Sequence, residues 1–575
     1  ECHMPRKESN DFGAILNTLT GKTEVHNHLF PSANTAIAWW NEDEKTIKAH
    51  QDYLQGVMRL DIFGVKEDAK IDGTLHAPLG EQVPTLEPGK SYLLETVIRT
   101  VKMGHLFTQG TVDSNEVWLE MTAIENAEFA SDGRLISGRV LGSIGGIDNK
   151  GEVDPWSHFV NVFMLDRFGN RVNRRNAQDI FTPLYNRQIP PGAAHLSQYR
   201  LDIPSDAQGV VTVVAKLNYR KFDWDYLRFI HEYHRDHNRP LRGLRPDGLV
   251  VNDLPITLLA EDRVTFPVAA GPTQWVPALG VPALGVPAPG QPPAVKKPDL
   301  WMRWNDYGIG LMISAESVNA RGQLRQAEHA FQQVEQLGRF DGPLNLARIY
   351  ESEGSLDLAT AALTRANSLK GDGGPTDPFP YWTHAWLTGL VNRQQGNLRA
   401  AAENLRLALN YTSPAAHARK FDFRLDYRVR NQLAQTLFDL AKQFNVGDST
   451  RDKLLDEAIA EYQQTLAIDS ENDMAHYGLY LIYQLQGNQE MAAKHQGLHA
   501  KYKVDDNARD VAVIAARKKY PAANHVAEAV VINSLQPKVE FYTSIQGHRV
   551  GQDVSVDRNQ TQVSLPATAK PEIPE

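Results

Sequence analysis

Small residues recur at fixed offsets among helix formers from residue 299 to about 515, and this pattern constrains the chain more than any other feature. Leu346-Ala347, Tyr350, Gly354, Ala359, Leu363 and Ala366 form one unit. Trp304, Tyr307-Gly308 and Leu311 open an earlier unit that closes with Ala327 and Phe331, and Gly389, Gly396, Ala401, Leu405 and Ala408 form a third. Ala458 with Tyr462, and Leu479, Tyr483, Gly487 and Ala492, form two more. Paired helices approach closely only where no large side chain intervenes, so small residues at this spacing mark a helix-turn-helix unit. Ala458 and Ala492 stand one period of about 34 residues apart. The other intervals are irregular, which places inserted loops between units.

Five copies predict a tetratricopeptide (TPR) solenoid over 299–515, with a concave face suited to peptides or like subunits. Residues 56–270 have a different period. In Val211–Tyr219, Val211, Val213, Ala215, Leu217 and Tyr219 share one face, and Thr212, Lys216 and Asn218 lie on the other. Period-2 runs between Gly, Pro, Asn and Asp clusters predict an antiparallel β-sandwich. His158–Leu165 is apolar on both faces and reads as one central strand, with Asp166–Asn170 as the turn after it. Residues 271–298 repeat Val-Pro-Ala-Leu-Gly and read as an extended linker rich in Pro, Ala and Gly. Residues 1–55 read as loop-rich with a helix near Lys45–Leu54, and 516–575 as a C-terminal tail holding one short apolar piece, Ala527–Ile532. The expected class is multidomain α+β, a sandwich followed by a helical solenoid.

Charge and motifs narrow the function. A net charge of −9 over 575 residues argues against nucleic acid as a partner. No apolar run approaches the ~18 residues of a membrane span. Gly142-Ser143-Ile144-Gly145-Gly146 lacks the Lys-Ser/Thr of a phosphate cradle and reads as a turn, and neither a G-x-S-x-G elbow nor an H-E-x-x-H helix occurs. With one cysteine, Cys2, no internal disulfide forms. No residue is expected to be catalytic, so an electron carrier or scaffold is favoured over an enzyme.

Glu1-Cys2-His3-Met4-Pro5 is the second half of a C-x-x-C-H haem-attachment motif, in which Cys2 supplies a thioether and His3 the proximal ligand. Two histidines two apart on an extended segment point the same way, which makes His26 and His28 candidates for a haem edge or a metal. His105 follows Gly104, and a glycine there lets the backbone approach a flat cofactor. His231, His234 and His237 form an H-x-x-H-x-x-H run. On a helix the first two share a face while the third turns away by about a third of a turn, so a three-ligand zinc site is strained and a solvated face is favoured.

Several blocks in this order resemble bacterial multihaem c-type cytochromes with a C-terminal TPR array. They are Glu1–Pro5, His28–Ala36, Gly104–Phe107 through Gly110–Leu119, Arg174–Asn176 through Tyr185, Ile189–Ala194 and Leu217–Phe222. The resemblance implies an exported electron-transfer protein, periplasmic or extracellular, with haem c at Cys2 and His3 or on a segment upstream of Glu1. It implies His28 and His105 as further iron ligands, redox proteins or like subunits as partners, and a sheet domain and array that act as scaffold. No complete C-x-x-C-H stands in this sequence, which leaves two other readings. One is a haem-free extracellular TPR protein that forms an oligomer or filament; the other, ranked last, is a metal enzyme built on the His231 run.

Overall fold

The computed structural model describes residues 3–18, 20–109, 112–243, 248–278, 297–316, 321–371, 379–413, 416, 422–528 and 530–535. Cys2, the interior of the repeated Pro/Ala/Gly segment and the last forty residues lie outside them.

The chain opens with β1 (Arg6–Glu8), β2 (Ile15–Asn17) and β3 (Lys22–His26), a small antiparallel sheet in the order β1-β3-β2, followed by α1 (Thr35–Trp40) and α2 (Glu44–Leu54). The expected loop-rich start is therefore half regular, and its predicted helix is α2. Next come β4 (Met58–Glu67), β5 (Leu75–His76), β6 (Gln82–Pro84), β7 (Ser91–Thr100), β8 (Glu116–Phe129), β9 (Leu135–Ile144), β10 (His158–Phe159), β11 (Val162–Leu165), β12 (Thr182–Asn186), β13 (Ala194–Asp202) and β14 (Val210–Arg220). The unit continues through α3 (Trp224–Asp236), β15 (Ile256–Pro267) and β16 (Trp275–Pro277). The expected central strand over 158–165 is two short strands instead. β10 pairs with β8, whereas β11 turns away at Asn161 to pair with β12.

Two five-stranded sheets carry the β unit. The first runs β10-β8-β14-β15 with β9 also on β8; the second runs β5-β4-β7-β13 and ends in a strand from the C-terminus. The predicted alternation in β14 holds: Val211, Val213, Ala215, Leu217 and Tyr219 enter a core shared with Leu60, Ile62, Leu94, Ile98 and Tyr199 of the second sheet. Each such side chain contributes roughly 1.5–3 kcal/mol by leaving water. The opposite face of the second sheet presents Phe63, Val97, Ala194 and Leu196 to the helical region.

That region contains five helical hairpins: α4 (Leu300–Glu316) with α5 (Arg321–Gln336), α6 (Asp341–Ser352) with α7 (Leu356–Ser368), and α8 (Tyr381–Gln394) with α9 (Leu398–Leu409), then α10 (Tyr427–Ala441) with α11 (Ser449–Ile468) and α12 (Asp473–Leu485) with α13 (Gln489–Tyr502). They coincide with the five predicted copies. Close approach explains the small residues. A Cβ on Gly308 would lie 2.6 Å from the Phe331 ring, and one on Gly478 would lie 2.2 Å from the Tyr462 ring. Asp448, Asn472 and Asn488 cap α11, α12 and α13 by accepting a backbone N–H.

Two expected boundaries change. The Pro/Ala/Gly segment does not set the halves apart. Its start forms β16 on β6, with the Ala278 amide donating to the Glu81 carbonyl, and at its end Lys297 bonds Asp61 and Asp262. The expected tail also returns. α14 (Asp506–Lys519) and α15 (Pro521–Val526) pack on β11 and β12, and β17 (Ile532–Ser534) joins β13 in parallel. The array is thus an arch tied to the sheet unit at both ends. Of the apolar piece at 527–532 only Ile532 enters this strand, whose partner lies more than 300 residues earlier, beyond the reach of a sequence window.

Candidate functional site

Two of the predicted histidines, His3 and His105, meet beside the N-terminal sheet. His3 is exposed, and its Nδ1 lies 2.8 Å from the Pro31 carbonyl. His26 Nδ1 lies 3.0 Å from the Met4 carbonyl, and His105 Nδ1 lies 2.8 Å from the Leu106 carbonyl. A carbonyl only accepts, so each Nδ1 is the donor in these bonds. Metal-ligating imidazoles use this same tautomer. The His3 and His105 rings lie 6.1 Å apart between centroids and only 14° from parallel, and Tyr53 stands 5.5 Å from His3.

The scaffold holds these groups through buried contacts. The Ser32 amide donates to Nδ1 of buried His50, and the Tyr219 hydroxyl donates to the Ala33 carbonyl, which fixes the loop that presents Pro31. Burial pulls His50 below its ordinary pKa, consistent with its ring accepting that bond. Phe107 is buried against Tyr219, 5.4 Å between ring centroids, and anchors the turn that carries His105. His28 does not join the pair; it is exposed and stacks on Phe30.

The His231 run does not converge. His231 is buried, whereas His237 turns back on its own helix, its Nδ1 donating to the Tyr233 carbonyl at 2.8 Å. Among the described residues no three histidine, cysteine or carboxylate side chains form a metal-ion group. Among the described residues His231, His234 and His237 therefore do not form the three-ligand zinc site.

The junction between sheet and array was not foreseen. Buried Glu95 accepts from Lys66 at 2.7 Å, from Gln198 at 2.8 Å and from the Tyr307 hydroxyl, while Lys66 also reaches Gln326 at 2.6 Å. Arg303 forks onto Asp61 at 2.8 and 3.0 Å. Lys297 bridges Asp61 and Asp262, and Arg59 and Arg99 meet on Asp306. Burial opposes charge at Asp61, yet Lys297 and Arg303 hold it below the usual carboxylate range. Burial pushes Asp262 and Asp306 up. The available signal was an isolated charge inside an apolar strand, as in Leu60-Asp61-Ile62 and Leu94-Glu95-Thr96.

No protein-family model and no curated protein matches the chain. Among solved structures, that of MamA is 16% identical over 33% of this chain and 94% of its own, with a TM-score of 0.25. A second MamA form is 20% identical over 36% and 100%, with a TM-score of 0.26. YrrB, described as a TPR protein with an unusual peptide-binding site, is 14% identical over 38% and 98%, with a TM-score of 0.25. Likeness at this level carries no functional argument. The helical half is, on its own geometry, an array of paired helical hairpins, with glycine at close approaches such as Gly308, Gly389 and Gly478. No helix among the described residues is long and apolar enough to cross a membrane.

Proposed function

We propose that this chain is a scaffold whose TPR array holds a polypeptide partner or a second copy of itself. The β unit, which we read as an antiparallel sandwich, sets the curvature of the array. The carrying observation is attachment at both ends: α4 docks on the second sheet, and α14, α15 and β17 return to it. A solenoid held this way presents a surface of fixed shape and loses less freedom when it binds. Light scattering on the full chain isolated from its own source tests this. A mass above the monomer, or a co-purified polypeptide, is expected; a bare monomer at every concentration refutes it.

A second reading rests on His3 and His105. Two imidazoles whose Nδ1 atoms are committed to carbonyls would offer their Nε2 atoms to one iron. The proximity of the two rings, 6.1 Å between centroids, and the carbonyl contact at each Nδ1 support that reading. Under this reading His3 and His105 hold the iron of a c-type haem, Cys2 gives its one thioether, and Tyr53 flanks the ring. His26 and His28 are not needed. Bound haem would supply one-electron chemistry, and the Pro31 and Phe107 anchors would hold the two imidazoles in place. Export to the periplasm or beyond is a corollary. The absorption spectrum of the native protein checks the reading: a low-spin haem band that His105→Ala shifts supports it, and a colourless protein refutes it while leaving the scaffold intact.

A further inference from the structure

We propose that two copies of this chain join edge to edge through β9, related by a two-fold axis at Gly138. β9 pairs with β8 along one side, and no strand among the described residues is hydrogen-bonded along its other side. An uncovered edge presents a row of backbone donors and acceptors that another strand can complete. The other edges of the two sheets are closed or short. Gln51 of α2 and Gln55 just past it donate to the Ile256 and Leu258 carbonyls of β15. β5 and β10 have two residues each, and β17 has three. β9 has ten, and its outer half is open to water, with Ile136 64% and Val140 42% exposed.

The residues of this edge commit it to a second copy. Leu135-Ile136-Ser137-Gly138-Arg139-Val140-Leu141 has nearly the same character read from either end. Antiparallel strands oppose residues in reverse order, so a two-fold axis at Gly138 sets Ile136 against Val140 of the partner subunit, and Val140 against Ile136 of the partner subunit. Apolar pairs opposed in this way stabilise a ladder. Between them, Ser137 meets Arg139 of the partner subunit, and charge is complementary along that row. Arg139 lies opposite Glu125 of β8, 3.4 Å away, and the Ser137 hydroxyl donates at 2.8 Å to Glu128, which lies opposite it. Each guanidinium then has a carboxylate of its own chain on one side and, beyond the serine, Glu128 of the partner subunit on the other. No two like charges are opposed. Gly138 keeps the axis free of side chains: its φ of +140° favours glycine, and a Cβ there would lie 2.6 Å from Cγ2 of Ile124.

The irregularities of the β8–β9 ladder set the limits of the edge. Asn126 and Ala127 stand opposite Gly138, and Leu141 is the extra residue between Val140, opposite Ile124, and Gly142, opposite Ala123. Ile136 to Val140 is therefore the run that pairs. A run this short covers less than the roughly 1,000 Å² of a stable interface, so the dimer is concentration-dependent. The contact uses no residue of the helical array and does not depend on what the array holds.

Sedimentation equilibrium on the full chain over a range of concentrations tests the edge. Wild type is expected to move from the mass of one chain toward that of a pair as concentration rises. Ile136→Lys with Val140→Lys, both at exposed positions, sets lysine against lysine on each side of the axis and is expected to weaken association by at least about tenfold. The register has its own test. Opposed Cα atoms in an antiparallel ladder lie about 4.5–5.5 Å apart, within disulfide reach. With diamide as oxidant, Ile136→Cys mixed with Val140→Cys is expected to give a disulfide-linked pair beyond what either variant alone, or wild type with its Cys2, gives. A mixture that gives no such pair overturns the two-fold register. A dimer indifferent to the lysines overturns the edge and leaves self-association to the array. A strict monomer overturns the proposal too, and protection of its Ile136–Val140 amides from hydrogen exchange would assign the edge to the chain's own residues after Leu535.

Discussion

The array and the junction beneath it hold together by opposite means. Within the array, each hairpin closes on neighbours a few dozen residues away, and the contact is steric: Gly308 under Phe331, Gly389 under Leu405, Gly478 under Tyr462. At the junction the contacts from array to sheet span more than 200 residues and centre on buried carboxylates: Tyr307 on Glu95, Arg303 on Asp61, Arg59 on Asp306. Failure of a steric contact stays local. A buried ionic contact that loses one partner strands the other in a place water cannot reach. The array should therefore tolerate damage unit by unit, and the junction should not.

The largest test removes Glu95. It is fully buried and serves Lys66, Gln198 and Tyr307 at once. Glu95→Ala leaves the Lys66 ammonium buried with only Gln326 beside it, and about 3–5 kcal/mol of stability is expected to be lost. Hydrogen exchange should show β4, β7 and α4 losing protection together. Retention of protection in α4 would mean that the apolar contact of Phe63 with Tyr307, stacked at 4.3 Å, carries the junction alone.

A smaller and more confined effect is expected from Gly478→Ala. The added Cβ meets the Tyr462 ring at 2.2 Å, and the ring cannot swing away as a flexible chain end would. Overpacking of this kind costs about 1–3 kcal/mol. The loss should appear in α11, α12 and α13 and not in the sheets. Spread into β13 would show that the arch unfolds as one body.

The same contrast explains what could be read from sequence. The five hairpins were legible because close helix packing leaves small residues at a fixed period, and β14 was legible because burial of one face leaves alternation. The junction was not, because Asp61, Glu95 and Asp306 acquire partners only when segments far apart in the chain meet. The C-terminal return was hidden for the same reason: residues 532–534 become a strand by pairing with Gln198–Arg200. The histidine pair His3–His105 lay between these extremes. Its members were individually visible as candidates, but their meeting was not, and His28, equally visible, stayed apart.

The fifth hairpin offers a pH test that the junction should not share. His476 Nε2 lies 3.2 Å from the Ser470 carbonyl and therefore donates. Its Nδ1 then accepts from His495 Nδ1 at 2.9 Å. In this bond His495 is the donor and His476 the acceptor. Burial, with His476 and Lys494 adding to it, pulls His495 from 6.5 down to about 4. The folded form thus resists a proton that the unfolded form takes up. Stability contributed by this ring is complete above about pH 6.5, falls between there and pH 4, and is flat below. About 1 kcal/mol per pH unit is expected in that window. His495→Gln keeps a donor for His476 and should flatten the slope in α12 and α13. An unchanged slope would assign the acid response elsewhere.

The smallest effect sharpens the comparison most directly, because it uses the same chemical pair in a different place. Arg365 on α7 forks onto Glu335 on α5 at 2.7 and 3.3 Å, a geometry close to that of Arg303 on Asp61. The Arg365 side chain is 45% exposed, whereas that of Arg303 is 6% exposed. Water and salt screen the first pair and not the second. Arg365→Ala should cost about 0.2–1 kcal/mol, and the cost should vanish in about 1 M salt. Arg303→Ala leaves Asp61 buried with Lys297 alone, so its larger cost should persist at the same salt. Equal costs for the two variants, or equal salt dependence, would mean that burial does not separate array from junction and that both rest on one kind of contact.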